Sequence, residues 1–190
     1  MAEIRTIAVI GAGGRGPDIA QICARGGFRT ILEDILPASL RRAESEIHSA
    51  FDLAFKVGEL TPAEVHAALA CIEYASSVEQ PAREADLVIE AVPDELESKI
   101  EIFMLLDKVA RPTTILACSS GSFSVNELAQ VTYRPEKVLG MRFWSSAEGE
   151  ELLEIVRGKR TDAETVARCA EAGRSMGISL MVTDEVRWRG

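Results

Sequence analysis

A cluster of four glycines directly after a short apolar run constrains this chain more than any other feature of its sequence. The run Thr6-Ile7-Ala8-Val9-Ile10 has the length and β-branched content of a buried strand, and the segment GAGGRG of residues 11–16 follows at once. A helix of about ten residues is predicted next, and it stops at Gly26-Gly27, a pair typical of a helix end. A strand, a glycine-rich turn and a helix are therefore predicted in immediate succession.

The spacing of these glycines matches the G-x-G-x-x-G pattern of a loop that binds the pyrophosphate of a dinucleotide. Gly11 permits the tight turn, Gly13 lets the backbone approach the pyrophosphate, and Gly16 lets the helix pack close to the strand. The helix that follows presents unpaired amides and the positive end of its dipole to the phosphates. Gly14 and Arg15 lie between these positions and are predicted to contact the cofactor as well.

An acidic residue follows the second predicted strand, which covers residues 28–33. Asp34 lies 23 residues after Gly11, close to the spacing of about 20 that is expected of a carboxylate binding the adenosine ribose. A carboxylate there accepts hydrogen bonds from ribose hydroxyls and repels a 2′-phosphate, and no basic residue follows it before Arg41. NAD is therefore predicted over NADP, with Glu33 as a solvated neighbour of Asp34.

The rest of the chain alternates short apolar runs with longer helical patterns, which predicts βαβ units and a parallel sheet. Apolar residues recur every three or four positions from Leu40 to Ala54, so a long helix is expected up to about Gly58. Further strands are predicted at residues 86–92, 114–118, 137–143, 152–156 and 178–182, and capping boxes at residues 61–64, 76–79, 124–127 and 161–164. The predicted fold class is α/β: a Rossmann-type, doubly wound, mostly parallel sheet with flanking helices and a long helix after the second strand.

Composition excludes several other classes of function. The 190 residues suit one domain, and a net charge of −9 argues against nucleic acid as a partner. No apolar run is long enough to span a bilayer, and the N-terminus lacks the apolar core of a signal peptide, so neither a membrane nor a secretory route is expected and a cytoplasmic location is predicted. Four widely spaced cysteines and two histidines predict buried free thiols, with no metal site or disulfide framework.

Three segments resemble the NAD-binding domain of the L-3-hydroxyacyl-CoA dehydrogenases. They are IAVIGAGGRGPDIAQ at residues 7–21, IEAVPDELESK at residues 89–99, and residues 140–156, and the likeness runs in register to about Asp184. The resemblance implies a Rossmann domain over residues 1–184 with a tail at 185–190, without the family's C-terminal helical domain. It also implies oxidation of a 3-hydroxyacyl thioester or related 3-hydroxy acid by hydride transfer to NAD.

The resemblance assigns further cofactor contacts to the segment after the strand that ends near Val92. Carried over by motif, Asp94 takes the place of an acidic NAD contact and Lys99 that of a basic one. Glu90 and Ser119 belong to the same cofactor side. The alternative for Asp94 and Lys99 is an exposed pair at the start of a helix.

The family's catalytic positions are mostly changed. The histidine that accepts the hydroxyl proton is replaced by Arg142, which cannot act as a base because a guanidinium group does not accept a proton at neutral pH. The histidine's carboxylate partner is kept as Glu154, so an Arg142–Glu154 ion pair is expected. Ser145 stands at the position of an asparagine. The substrate-contacting serine falls on Gly121, with Ser120 and Ser122 as the nearby hydroxyl groups.

Two functions stay open at this point. One is an NAD-dependent oxidoreductase of the 3-hydroxyacyl class, with an altered substrate or with groups supplied by a partner. The other is an NAD(H)-binding protein without dehydrogenase activity, such as a sensor, a partner subunit or a pseudoenzyme. The positions at which the family offers a serine and a lysine to CoA are Ala50 and Val57 here, so an acyl-CoA ligand is weakly supported. Self-association or a partner subunit is also expected.

Overall fold

An eight-stranded sheet organises the chain in the computed structural model, which describes residues 3–145 and 151–185. The strand order is β3-β2-β1-β4-β5-β6-β7-β8. The strands are β1 (Thr6–Ile10), β2 (Arg29–Glu33), β3 (Ile72–Ala75), β4 (Leu87–Glu90), β5 (Ile115–Cys118), β6 (Val138–Ser145), β7 (Glu151–Arg157) and β8 (Ser179–Asp184). Only β7 runs antiparallel to its neighbour β6, and β8 then pairs parallel to β7.

In the described part of the chain, seven helices cover the two faces of this sheet. They are α1 (Gly16–Arg25), α2 (Pro37–Lys56), α3 (Pro62–Ala70), α4 (Glu79–Glu84), α5 (Leu96–Val109), α6 (Val125–Gln130) and α7 (Ala163–Ser175), with a 3-10 turn at Pro135–Lys137. Helices α1, α2, α3 and α7 bury apolar residues against one face, and α4, α5 and α6 against the other. Strands β4 and β5 are buried throughout, as expected for parallel strands covered on both sides.

The strand order reverses direction between β1 and β4, which lie side by side in the centre of the sheet. The chain leaves β1 for α1 on one face, and it leaves β4 for α5 on the other. A crevice therefore opens at the carboxyl ends of these two strands, which is where open α/β sheets bind their ligands. The predicted fold class, including the 20-residue helix α2 after the second strand, is confirmed.

Two local predictions were wrong and one strand was missed. Ser76 does not cap α4, whose N-cap is Val78, and Asp162 rather than Thr161 caps α7 by accepting a hydrogen bond from the Thr165 amide. The Thr161 hydroxyl instead donates to the carbonyl of Val138 at 2.6 Å. Strand β3 was missed because its four residues form a half-exposed edge with no alternating pattern.

The predicted caps of α3 and α6 and the free state of the cysteines are confirmed. The capping box of Thr61 and Glu64 is complete, and the Ser124 side chain caps α6. The four cysteines are free thiols; three are buried and Cys71 is half-buried. Within residues 3–145 and 151–185, no helix is long and apolar enough to cross a membrane, and no cluster of three metal-ligating side chains occurs.

Candidate functional site

The glycine loop joins β1 to α1 in a conformation that only glycine allows at two positions. Gly11 has φ of +105°, and a Cβ atom there would lie 2.7 Å from the carbonyl oxygen of Ala91. A Cβ atom on Gly16 would overlap the carbonyl oxygen of Gly11. The loop is also fixed to the neighbouring strand, because the Gly11 amide donates to the carbonyl of Glu33 at 2.8 Å.

The middle glycines of the loop face open space. No heavy atom lies within 4 Å of a Cβ atom built on Gly13 or Gly14, and both residues line a groove of about 670 Å³. Helix α1 begins at Gly16 with no side chain capping its N-terminus, so its first amides keep their hydrogen-bonding capacity. The guanidinium of Arg15 donates to the carbonyl of Phe143 on β6 and thereby joins the loop to the far side of the groove.

Asp34 follows β2 directly and is held by two backbone amides. Its Oδ2 atom accepts from the Ala12 amide at 3.0 Å and its Oδ1 atom from the Leu36 amide at 2.9 Å. A carboxylate oxygen accepts more than one hydrogen bond, so the half-buried group retains acceptor capacity for ribose hydroxyls. Sequence reasoning missed Arg42, whose guanidinium lies 3.5 Å from the carbonyl oxygen of Ala12.

Glu33 is not the solvated neighbour that the sequence predicted. Its residue is only 2% exposed, and its Oε1 atom is buried without a hydrogen-bond partner. Burial first, and then the negative charges of Asp34 and Glu79, raise the pKa of Glu33 to about 7. The burial of Glu33 could have been predicted from its place in the second predicted strand, because a strand inside a parallel sheet is covered on both faces.

Glu90 and Lys99 form an ion pair beneath the groove. The Nζ atom of Lys99 lies 2.7 Å from Oε1 of Glu90, with side chains 1% and 0% exposed. Burial alone would lower the pKa of Lys99, but the Glu90 carboxylate raises it above its ordinary value. Lys99 also lies 3.4 Å from Oδ1 of Asp94, which is half exposed. The alternative of an exposed pair at a helix start is therefore wrong for Lys99, whereas Asp94 is half exposed.

Asp94 connects this buried pair to the serine loop after β5. Its Oδ2 atom accepts from the Ser122 hydroxyl at 2.5 Å, and the Ser122 amide donates to the Ser120 hydroxyl oxygen at 3.0 Å. Although burial opposes it, these serines and Lys99 hold the pKa of Asp94 below its ordinary value. The carboxylate therefore stays ionised at the edge of the groove, a link between two loops that sequence spacing did not indicate.

Arg142 and Glu154 stand directly opposite each other on β6 and β7. The Nη1 atom of Arg142 lies 3.5 Å from Oε2 of Glu154, so the predicted ion pair is formed, although at a long distance. The other carboxylate oxygen, Oε1, accepts from the Thr183 hydroxyl at 2.9 Å. The Nε atom of Arg142 is buried and has no hydrogen-bond partner.

Gly121 lies against the Arg142 side chain. A Cβ atom on this glycine would be 3.6 Å from Nε and 3.8 Å from Cδ and Cζ of the arginine. Arg142 and Gly121 line the groove described above, and both also line a second cleft of about 1170 Å³ between α6, β6 and β7. The arginine therefore stands where the two cavities meet.

The structure brings most of the sequence-predicted residues to one groove. Its lining includes Gly13, Gly14, Arg15, Asp94, Lys99, Ser119, Ser120, Ser122 and Arg142. Gly11, Gly16 and Glu90 lie behind this lining, Asp34 stands at the end of β2, and Glu154 faces the second cleft. Ser145 ends β6, and its side chain lies outside the described part of the chain.

The residues present fit a dinucleotide. Gly13 and Gly14 leave a backbone cradle that a Cβ atom would fill, the adjacent helix N-terminus has uncapped amides, and Asp34 is held by backbone hydrogen bonds. These three features stand at the crevice where the strand order reverses.

The comparisons with known proteins agree with this fit. A family model described as "3-hydroxyacyl-CoA dehydrogenase, NAD binding domain" matches residues 6–186. A probable 3-hydroxybutyryl-CoA dehydrogenase of Bacillus subtilis is 34% identical over 96% of this chain and 63% of its own length. A 5-formyl-3-hydroxy-2-methylpyridine 4-carboxylate 5-dehydrogenase of Mesorhizobium japonicum is 30% identical over 94% of this chain and 57% of its own. The chain thus spans about three fifths of these relatives.

A solved structure agrees in fold. The crystal structure of (S)-3-hydroxybutyryl-CoA dehydrogenase from Ralstonia eutropha superposes with a TM-score of 0.91 at 30% identity, covering 97% of this chain and 65% of that one. The chain therefore shares the fold of the part of that enzyme that it matches.

Proposed function

The chain belongs to the family of NAD-binding domains of 3-hydroxyacyl-CoA dehydrogenases, and we propose that it holds NAD(H) for hydride transfer to or from a 3-hydroxyacyl thioester or a related 3-hydroxy acid. The bound cofactor supplies the hydride acceptor or donor. The single observation that carries the proposal is the loop of residues 11–16. The backbone requires glycine at positions 11 and 16, whereas Gly13 and Gly14 are open to the groove.

We assign the cofactor contacts from the geometry of the loop and the strand ends. Amides of Gly13, Gly14 and the first turn of α1 hold the pyrophosphate, and Asp34 accepts from the adenosine ribose hydroxyls. Asp94 faces the nicotinamide side of the groove. Lys99 is sealed from solvent, so it acts as a positioning residue that fixes Asp94 rather than as a direct ligand.

At the substrate end the residues can bind but supply no histidine base. Ser120 and Ser122 present hydroxyl groups to the groove, and Glu154 orients Arg142 in place of the histidine that the family uses. An arginine donates hydrogen bonds and does not accept a proton at neutral pH. Loss of a positioned base lowers the rate of proton transfer about 10²- to 10⁴-fold.

Arg142 is also the observation that favours a second candidate, an NAD(H)-binding protein without dehydrogenase activity. In that case the same groove binds the cofactor, while hydride transfer is absent. The relatives do not decide the substrate, because they are named for CoA thioesters and for a pyridine carboxylate. A partner subunit, self-association and a cytoplasmic location stay predictions; light scattering of the purified protein tests the first two.

Oxidation of NADH by acetoacetyl-CoA separates the two candidates. We expect the wild-type protein to turn over slowly and the Arg142→His variant to gain activity of about tenfold or more, because histidine restores a proton acceptor and donor. Glu154→Gln in the Arg142→His background is the control, since it removes the carboxylate that orients the imidazole. NADH binding without turnover in both proteins would favour the non-catalytic candidate.

A further inference from the structure

We propose that Arg142 forms a carboxylate-binding subsite together with the open face that Gly121 leaves, so that the preferred ligand is a free short-chain 3-oxo or 3-hydroxy acid rather than a thioester. The inference rests on the proposed function, because it assigns the substrate class of the same site. The main observation behind it is the position of Arg142, which lines both the cofactor groove and the second cleft.

The guanidinium has unused hydrogen-bonding capacity. It carries five N–H donors in a planar fork, and its side chain is 20% exposed. Because Nε is buried, a ligand has to be bound by the four N–H donors of the two Nη atoms. The distance from Nη1 of Arg142 to Oε2 of Glu154 is 3.5 Å, which is longer than a good charge-assisted hydrogen bond of about 2.7 to 2.9 Å. Glu154 in turn divides its two oxygens between Arg142 and the Thr183 hydroxyl. The ion pair thus leaves donors for a ligand.

Gly121 keeps the arginine open to that ligand. A side chain at this position would start 3.6 to 3.8 Å from Nε, Cδ and Cζ and would extend over the guanidinium. With no side chain at Gly121, the space beside the arginine where the groove meets the second cleft is left to a ligand. Ser122 also lines both cavities.

Charged side chains of both signs line the cleft around Arg142. Lys159 and Arg160 line the same cleft and add positive charge. Of its carboxylates, Glu185 is held at the N-terminus of α6 by the amides of Val125 and Asn126. Glu154 is the ion-pair partner of Arg142, and the remaining two, Glu127 and Asp184, are exposed.

The chemistry of the ligand follows from these donors. A carboxylate offers two anionic oxygens to the guanidinium fork, whereas a thioester offers one neutral carbonyl oxygen. A hydrogen bond to a charged group is stronger than one between neutral groups, and the difference corresponds to a tenfold or greater preference in affinity. The residue that removes the family's base therefore creates a recognition element for a charged substrate.

Calorimetric titration of the NAD⁺-saturated protein with acetoacetate and with acetoacetamide tests the proposal. The two ligands share their carbon skeleton and differ in charge, and neither carries a hydride for NAD⁺. We expect acetoacetate to bind at least tenfold more tightly than acetoacetamide. Arg142→Gln should remove this preference, while Arg142→Lys, which keeps the charge without the fork, should retain part of it.

Glu154→Gln should change the affinity for acetoacetate in the opposite direction. It removes the carboxylate that competes for Arg142, so acetoacetate should bind more tightly and acetoacetamide should be unaffected. Equal affinities for the two ligands, or a preference that survives in Arg142→Gln, would overturn the carboxylate subsite. If the proposed function is wrong, the protein will not bind NAD⁺, which is a different result. The affinities for the two ligands can then be compared on the cofactor-free protein.

Discussion

Lys99 and Glu90 are joined at 2.7 Å with both side chains sealed from solvent, although one lies on a helix and the other ends a strand of the sheet. Breaking a buried ion pair leaves one uncompensated charge inside the protein. We therefore expect Lys99→Met to lower the free energy of unfolding by about 3 to 5 kcal/mol, measured by urea denaturation at neutral pH.

The matched control for this prediction is the double variant Lys99→Met, Glu90→Gln. It removes both charges and should recover a large part of the lost stability, because no buried ion is left unpaired. If the loss of unfolding free energy in the double variant equals the sum of the losses in the two single variants, the two side chains do not stabilise each other as their contact indicates.

Two glycines of one loop should respond to alanine in opposite ways. In Gly16→Ala the methyl group overlaps the Gly11 carbonyl, so we expect a large loss of stability in thermal unfolding. In Gly13→Ala the methyl group meets no protein atom, so stability should be kept while NAD affinity falls at least tenfold. Unchanged NAD binding in Gly13→Ala would place the pyrophosphate elsewhere.

The sequence predicted this loop well because each of its requirements is local. The turn at Gly11 and the contact at Gly16 follow from the strand and helix that flank them. Asp34 was predictable for a related reason, since the ends of neighbouring parallel strands meet at one edge of the sheet.

The parts that sequence reasoning missed depend on contacts between distant segments. Ser122 donates to Asp94, which lies 28 residues earlier in another loop, and Gly121, in the same loop as Ser122, lies against Arg142 on β6. The prediction for Glu33 was wrong because charge was taken as a sign of exposure, although its strand lies between β1 and β3. No spacing rule supplies these relationships without the packed sheet.

Asp34 should control the choice between NAD and NADP. In Asp34→Ala we expect NAD affinity to fall about 10- to 100-fold, because hydrogen bonds from ribose hydroxyls to a charged group are lost. NADP affinity should rise in the same variant, since the charge that repels the 2′-phosphate is gone. Isothermal titration with both cofactors measures these changes.

Asp34→Asn is the control for that experiment. Its side-chain oxygen can still accept from the Ala12 amide, so the loop keeps its support while the negative charge is removed. The asparagine variant should therefore gain NADP affinity with a smaller loss of NAD affinity. If neither variant alters the ratio of the two affinities, Asp34 does not bind the ribose.

Glu33 should make the stability of the protein depend on pH in an unusual direction. Its pKa is raised from an ordinary value of 4.5 to about 7, through burial and the charges of Asp34 and Glu79. Between these two values the unfolded chain releases the proton while the folded chain retains it, so Glu33 contributes stability at low pH that is lost as pH rises from about 4.5 to 7. The loss amounts to at most about 3 kcal/mol.

Glu33→Gln removes this ionisable group while keeping its size. The difference in unfolding free energy between variant and wild type should therefore shift in favour of the variant from pH 4.5 to 7 and then level off, as measured by urea denaturation at a series of pH values. Glu79→Gln removes one of the charges that raise the pKa of Glu33, so in this variant the pH-dependent loss of stability should end at a lower pH than in the wild type. Parallel stability curves for Glu33→Gln and wild type would mean that Glu33 has the same pKa in the folded protein as in the unfolded chain, and that burial does not raise it.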